Sequence, residues 1–146
     1  MTPADILLAN RLADAAGAAI RPFFRSAFAH EAKDDASPVT EADRAAEAAI
    51  RAILDSEYPH DAIIGEEYGE KSGTSGRSWI LDPIDGTVSF MAGRPIFGTL
   101  IALLEDGWPV LGVIDQCISG ERWVGAAGRE TTFNGKPVRT RSCRAL

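Results

Sequence analysis

The chain has 146 residues, 45% of them hydrophobic and 25% charged, with 14 Gly, 8 Pro and a formal net charge of −6. This is the make-up of one globular domain with a real core, and it excludes fibrous, collagen-like and disordered classes. An acidic chain without a basic patch repels phosphate backbones, which excludes nucleic acid as a partner.

Residues 4–24 are predicted as an amphipathic helix. Leu8, Leu12, Ala15, Ala16, Ala19, Ile20 and Phe23 recur at helical spacing, Gly17 weakens the pattern, and Pro22 kinks or ends it. Asp5, Asn10, Arg11 and Asp14 interrupt its apolar residues, so neither a signal peptide nor a membrane span is expected. The polar stretch 29–38 is expected as a loop or hairpin. A second helix is predicted from Thr40, where Thr40-Glu41-Ala42-Asp43 resembles a capping box, with Ala46, Ala49, Ile50, Ile53 and Leu54 as its buried stripe and Pro59 as its stop.

Beyond residue 61 the period shortens. Ala62-Ile63-Ile64 runs into Gly65-Glu66-Glu67, and the Gly/Ser-rich segment 69–76 is expected as a mobile loop. Residues 78–81, 100–104, 110–114 and 122–124 read as strands, with Asp106-Gly107, Ser119-Gly120 and Asn134-Gly135 as turns. Helices followed by strands give an α+β fold: layered helices packed on a mainly antiparallel sheet, in one domain over 1–146. Cys117 and Cys143 have no CxxC partner and no His at zinc spacing, so a reduced, cytoplasmic setting is expected.

Chemistry gathers in the middle of the chain. Glu66, Asp82 and Asp85 each follow or lie close behind a short apolar run, which would hold them rigidly at a cleft. Several carboxylates meeting at one point repel unless a cation lies between them, and hard oxygen ligands suit Mg²⁺. In Asp82-Pro83-Ile84-Asp85-Gly86-Thr87, Pro83 is predicted to end the strand and leave the Ile84 carbonyl free as a neutral ligand. Gly86 lets the backbone turn, and Thr87 opens a short helix whose first N–H groups form an anion site. Taken singly, each piece has a bland reading: Asp-Gly as a turn, Glu-Glu as a solvated pair, Asp43 as a helix cap. Trp79 and Phe90 read as core. His30 and His60 lie in loop-like polar stretches and are not expected in catalysis.

Together, Gly65-Glu66-Glu67, the run from Trp79 to Thr87 and Phe90 resemble the signature of the inositol monophosphatase family. Ser37-Pro38-Val39-Thr40-Glu41-Ala42-Asp43 resembles its upstream motif. The resemblance extends from the first helix to Asn134-Gly135-Lys136-Pro137. From Phe90-Met91-Ala92-Gly93-Arg94-Pro95 to Gly120–Ala126 the texture is most similar to the histidinol-phosphate phosphatase branch. The resemblance implies the N-terminal domain of that family's fold and a Mg²⁺-dependent phosphatase attacking directly with water. It implies Glu66, Asp82 and Asp85 as side-chain metal ligands and Ile84 as a carbonyl ligand. Asp85, Gly86, Thr87 and Val88 become the phosphate site, and Asp43, Thr87 and Glu66 the catalytic group. Lys33 aligns with a basic residue of the family's early loop. The implied partner is a small phosphorylated metabolite: histidinol phosphate first, then inositol monophosphate, a sugar or a nucleotide phosphate. A non-catalytic metal-binding fragment is the alternative. Family members are longer, and their second half carries a further metal-binding Asp. The chain is therefore expected to be slow alone, and to form a homodimer or associate through the surface that half would cover.

Overall fold

A computed structural model describes residues 1–26, 30–32 and 38–142, with 30–32 and 38–40 followed as backbone only. Lys33, Ser37, Cys143 and the side chains of His30 and Thr40 lie outside the described set. The elements in chain order are α1 (Pro3–Ile20), β1 (His30–Ala32), β2 (Pro38–Thr40), α2 (Glu41–Glu57), β3 (Ala62–Gly65), β4 (Gly69–Lys71), β5 (Arg77–Asp85), α3 (Thr87–Met91), β6 (Gly98–Glu105), β7 (Trp108–Gln116), β8 (Glu121–Ala126), β9 (Thr132–Phe133) and β10 (Lys136–Pro137). One eight-stranded sheet runs in the order β10-β9-β8-β7-β6-β5-β3-β4, and β1 and β2 form a separate hairpin. Every pairing is antiparallel except β3 with β5. The α+β architecture with a mainly antiparallel sheet is the one expected.

Two helices cover one face of this sheet. Leu8, Leu12, Ala16 and Ile20 of α1 and Ala46, Ile50 and Leu54 of α2 are fully buried against Trp79, Leu81, Ile101 and Leu103. Each of the buried Leu and Ile side chains contributes about 1.5–3 kcal/mol by leaving water, the alanines less. Gly17 is part of this seat rather than a defect in the helix, since a Cβ there would lie 2.9 Å from the Cys117 Cβ. The helix ends at Ile20, two residues before Pro22, and 21–25 are turns rather than a last helical turn. A second helix follows β2 directly at Glu41 and stops at Glu57, two residues before Pro59.

Period-2 alternation then separates the faces. Trp79 and Leu81 point to the helices while Ile80 between them is exposed; Leu111 and Val113 are buried while Ile114 is exposed. The outer face is a shallow groove of about 560 Å³ bordered by Ile80, Asp82, Leu100, Ala102, Ile114 and Trp123. Asp106-Gly107 and Asn134-Gly135 both take positive φ and close the β6–β7 and β9–β10 hairpins, as two-residue turns of this type require. No helix among the described residues is long and apolar enough to cross a membrane.

Two expectations need correction. The segment 69–76 is not a free loop. Gly69–Lys71 pairs with β3, Thr74 and Ser75 donate to the His60 carbonyl at 2.8 and 3.1 Å, and the Ser75 hydroxyl donates to Asp61 at 2.7 Å. Local composition signalled flexibility, but backbone pairing and a buried acceptor fix the segment. The second correction is that β5 does not end at Pro83 but runs on to Asp85. Beyond Leu81 the strand has lost its β3 neighbour, and a bulge lies between Asp82 and Asp85. A proline needs no ladder N–H at such a place.

Candidate metal and phosphate site

The parallel pairing of β3 with β5 brings the first two carboxylates together. Gly65 is in register with Leu81, so Glu66, the first residue of the turn after β3, comes out beside Asp82 of β5. The Glu66 N–H still donates to the Leu81 carbonyl at 3.3 Å, which keeps the chain in sheet geometry as it turns. Asp43 arrives from the first turn of α2, where it is 4% exposed.

Asp85 and the segment expected to hold phosphate are set by the bulge. Asp82 pairs with Leu100 and Asp85 with Gly98, so Pro83 and Ile84 together oppose the single residue Thr99. The buried Thr99 hydroxyl donates to the Pro83 carbonyl at 2.8 Å. It replaces a ladder bond that the bulge forfeits. The Ile84 carbonyl is not free as expected, because the Thr87 hydroxyl donates to it at 3.1 Å. A carbonyl has two lone pairs, so one remains for a cation. Gly86 has φ +94° and ψ +37°, and a Cβ on it would stand 3.1 Å from the Ile96 carbonyl oxygen. Left-handed backbone and close approach thus both demand glycine. Helix α3 starts at once, and the N–H groups of Thr87 and Val88 have no intrahelical acceptor by helix geometry. Beneath it Phe90, Phe97 and Phe24 pack as an aromatic trio with centroids 5.1–5.8 Å apart. Phe90 and Trp79 are core, as read from the sequence.

Electrostatics marks Asp82 as the centre. Burial pushes its carboxyl up, Glu66, Asp85 and Asp43 add negative potential, Glu66 is also within hydrogen-bonding reach, and the value rises from 3.8 to about 7. Its Oδ1 is buried without a hydrogen-bond partner among the described residues. Glu66 and Asp85 are exposed, as cleft-mouth groups would be. Among the described residues no group of three or more His, Cys, Asp or Glu side chains is placed so as to hold a metal ion. The carboxylates converge electrostatically without meeting at one point. An orphaned buried carboxylate oxygen, three further carboxylates and a carbonyl with a spare lone pair are a donor set that fits a hard divalent cation. Val88 is largely exposed beside this segment. A larger cleft of about 860 Å³ lies between α1 and β7–β9. Its Arg122 is already engaged by Asp115, Asp14 and Asn10, and none of the four carboxylates lines it.

Three residues at the site escaped the sequence reading: Thr99, Glu47 and Arg51. Glu47 is fully buried, and its carboxylate accepts from the Glu67 N–H at 2.7 Å and the Tyr68 N–H at 3.2 Å. Arg51 donates to it at 2.7 Å and also to the Gly69 carbonyl. A signal existed for Glu47: it lies one helical turn after Asp43, next to Ala46, on the apolar stripe. An acid on a buried face needs a partner. Thr99 gave none, because a threonine in a strand is ordinary.

Comparison with known proteins accords with this geometry. The pattern of the inositol monophosphatase family matches residues 4–146. A chloroplastic bifunctional phosphatase of Arabidopsis thaliana, IMPL2, is 53% identical over 139 residues, which are 94% of this chain and 40% of that protein. A histidinol-phosphatase of Mycobacterium tuberculosis is 44% identical over 130 residues, covering 88% of this chain and 50% of that one. Among solved structures, an inositol monophosphatase from Zymomonas mobilis superposes with a TM-score of 0.82 at 57% identity, covering 97% of this chain and 55% of its own. The chain thus spans about half the length of these relatives.

Proposed function

The chain belongs to the inositol monophosphatase family, and from that premise we propose that it carries the cation and phosphate site of a Mg²⁺-dependent phosphatase acting on histidinol phosphate. The observation that carries this reading is the buried, unpartnered Asp82 oxygen amid Glu66, Asp85 and Asp43. Glu66, Asp82, Asp85 and the Ile84 carbonyl would hold Mg²⁺. Such a cation neutralises the charge of a phosphate dianion and acidifies a nearby water.

The chain's own groups do the rest. The N–H groups of Gly86, Thr87 and Val88 hold the phosphate oxygens at the head of α3. Asp43 and the Thr87 hydroxyl orient the attacking water. Thr87 also ties that hydroxyl to the Ile84 carbonyl, so the water and a cation ligand are fixed to one segment. Positioning of this kind and electrostatics carry phosphoryl transfer, and no side-chain nucleophile is needed. Cys117 is no candidate, since burial and Asp115 push its thiol up to about 11. Among the described residues it is a free thiol, in keeping with the reduced, cytoplasmic setting proposed for the chain.

Histidinol phosphate is favoured by the resemblance of residues 90–126 and by the histidinol-phosphatase relative. Inositol monophosphate is the second reading, supported by the Zymomonas mobilis enzyme. Phosphate release from both substrates, with and without Mg²⁺, separates the two. The expected outcome is Mg²⁺-dependent release with a preference for histidinol phosphate, abolished in Asp85→Asn. Asp85 is exposed at its strand end, so that variant should keep its stability to within about 0.5 kcal/mol. Release that is independent of Mg²⁺, or undiminished in Asp85→Asn, would overturn the proposal.

A further inference from the structure

Glu66 lies in the three-residue turn between β3 and β4. A turn this short, at the edge of a sheet, is free to flex unless something outside the hairpin holds it. The Glu66 N–H is held by the Leu81 carbonyl of β5, and the rest of the turn is held from α2. The Glu47 carboxylate reaches into the turn and accepts from the amides of Glu67 and Tyr68, the two residues that follow Glu66. Arg51, one helical turn further on, binds the same carboxylate and the Gly69 carbonyl, so the turn is tied to one helix from its middle to its exit. Gly65 completes the fit: a Cβ there would come within 1.9 Å of Glu47 Oε1 and 2.8 Å of the Arg51 guanidinium. The carboxylate fills the place a side chain would occupy, which is why glycine precedes Glu66.

We propose that Glu47 is a positioning residue that fixes Glu66 toward the cation site, locking it in register with Asp43 on the same helix. The inference rests on the reading of Glu66 as a cation ligand. Burying a carboxylate with no exposure is unfavourable unless its hydrogen bonds are complete. Two backbone amides and an arginine complete them here, and the group they hold immobile is the hairpin turn. Asp43 and Glu66 therefore share one rigid support, although they are 23 residues apart in sequence.

The test uses the chain as it is, with Mg²⁺ as the probe. Glu47→Gln keeps the shape but turns an amide NH₂ toward a donor, so one hydrogen bond must fail. Gly65→Ala displaces the carboxylate without touching it chemically. Asp5→Asn is the control: it breaks a buried ion pair with Arg77 at the opposite end of β5 and destabilises the chain far from the site. Calorimetric titration should show Mg²⁺ affinity reduced at least about tenfold in Glu47→Gln and Gly65→Ala, the scale typical of groups that orient metal ligands, and unchanged in Asp5→Asn. Amide hydrogen exchange in the metal-free chain should quicken at 66–68 in the first two variants and not in the control. A wild-type chain that takes up no Mg²⁺ would overturn the reading of the site itself, and this role with it. A wild-type chain that binds while Glu47→Gln binds equally well, or exchanges no faster at 66–68, would overturn the positioning role alone. An equal loss of affinity in Asp5→Asn would do the same, since it would trace the effect to general stability.

Discussion

Asp82 is where the competing demands on this chain meet. It stands in β5 just past the point where the strand loses its β3 neighbour, half-buried and beside three other acids. Its folded value of about 7 lies above the ordinary 3.8. The fold thus favours its protonated form, and the stability this gives is complete below about pH 4 and is lost as pH rises to about 7. The metal-free chain should accordingly melt lower as pH rises through that window. Asp82→Asn should flatten that dependence and be the more stable protein above pH 7, while binding Mg²⁺ more weakly. Thermal unfolding against pH in chelator, followed by calorimetric Mg²⁺ titration, checks both halves. A variant that keeps the wild-type pH slope, or the wild-type affinity, would remove Asp82 from the centre of the site.

At the scale of elements, the site depends on two departures from regular geometry: the β5 bulge and the left-handed Gly86 that turns it into α3. Gly86→Ala must place a Cβ at φ +94° and 3.1 Å from the Ile96 carbonyl oxygen. The left-handed conformation alone costs an alanine about 1–2 kcal/mol. Moving the Ile96 backbone adds to that. Urea unfolding should show a loss of at least about this size, and a variant as stable as wild type would mean that the β5–α3 turn relaxes freely. The bulge explains the Pro83 correction in the same terms. In sequence a proline reads as a stop because it cannot donate in a ladder. Here its N–H would have met no partner on the β3 side, and its carbonyl is served by a side chain from β6.

For the molecule as a whole, the feature that decides behaviour is the uncovered sheet face. Ile64, Ile80, Ile114 and Trp123 remain 36–52% exposed opposite a well-packed helical face. Contiguous apolar surface of this kind seeks a partner. Expressed as these 146 residues, the chain should self-associate in a concentration-dependent way, through this face. Sedimentation velocity over a wide concentration range should show it, and Ile114→Lys should shift the chain toward monomer with little loss of stability, since Ile114 is half-exposed already. A monomer at every concentration would show that the face is no interface between copies.

The sequence by itself determined the helices, the hairpin turns and the identity of the acids, because these depend on short-range chemistry. Helical periodicity marked α1 and α2, the Asp-Gly and Asn-Gly pairs marked two hairpins, and Asp82-Pro83-Ile84-Asp85-Gly86-Thr87 marked the candidate site. Tertiary structure decided how those pieces meet. The parallel register that sets Glu66 beside Asp82 involves residues 16 apart, and no local pattern encodes it. The same holds for the bond from Thr99 to Pro83 across the bulge and for the reach of Glu47 into the turn 20 residues on. The anchoring of segment 69–76 also came from outside it, from the His60 carbonyl and Asp61. Local residues select which groups are present. Only the packing of distant strands and helices brings four like charges within range of one another, and that proximity is what calls for a cation.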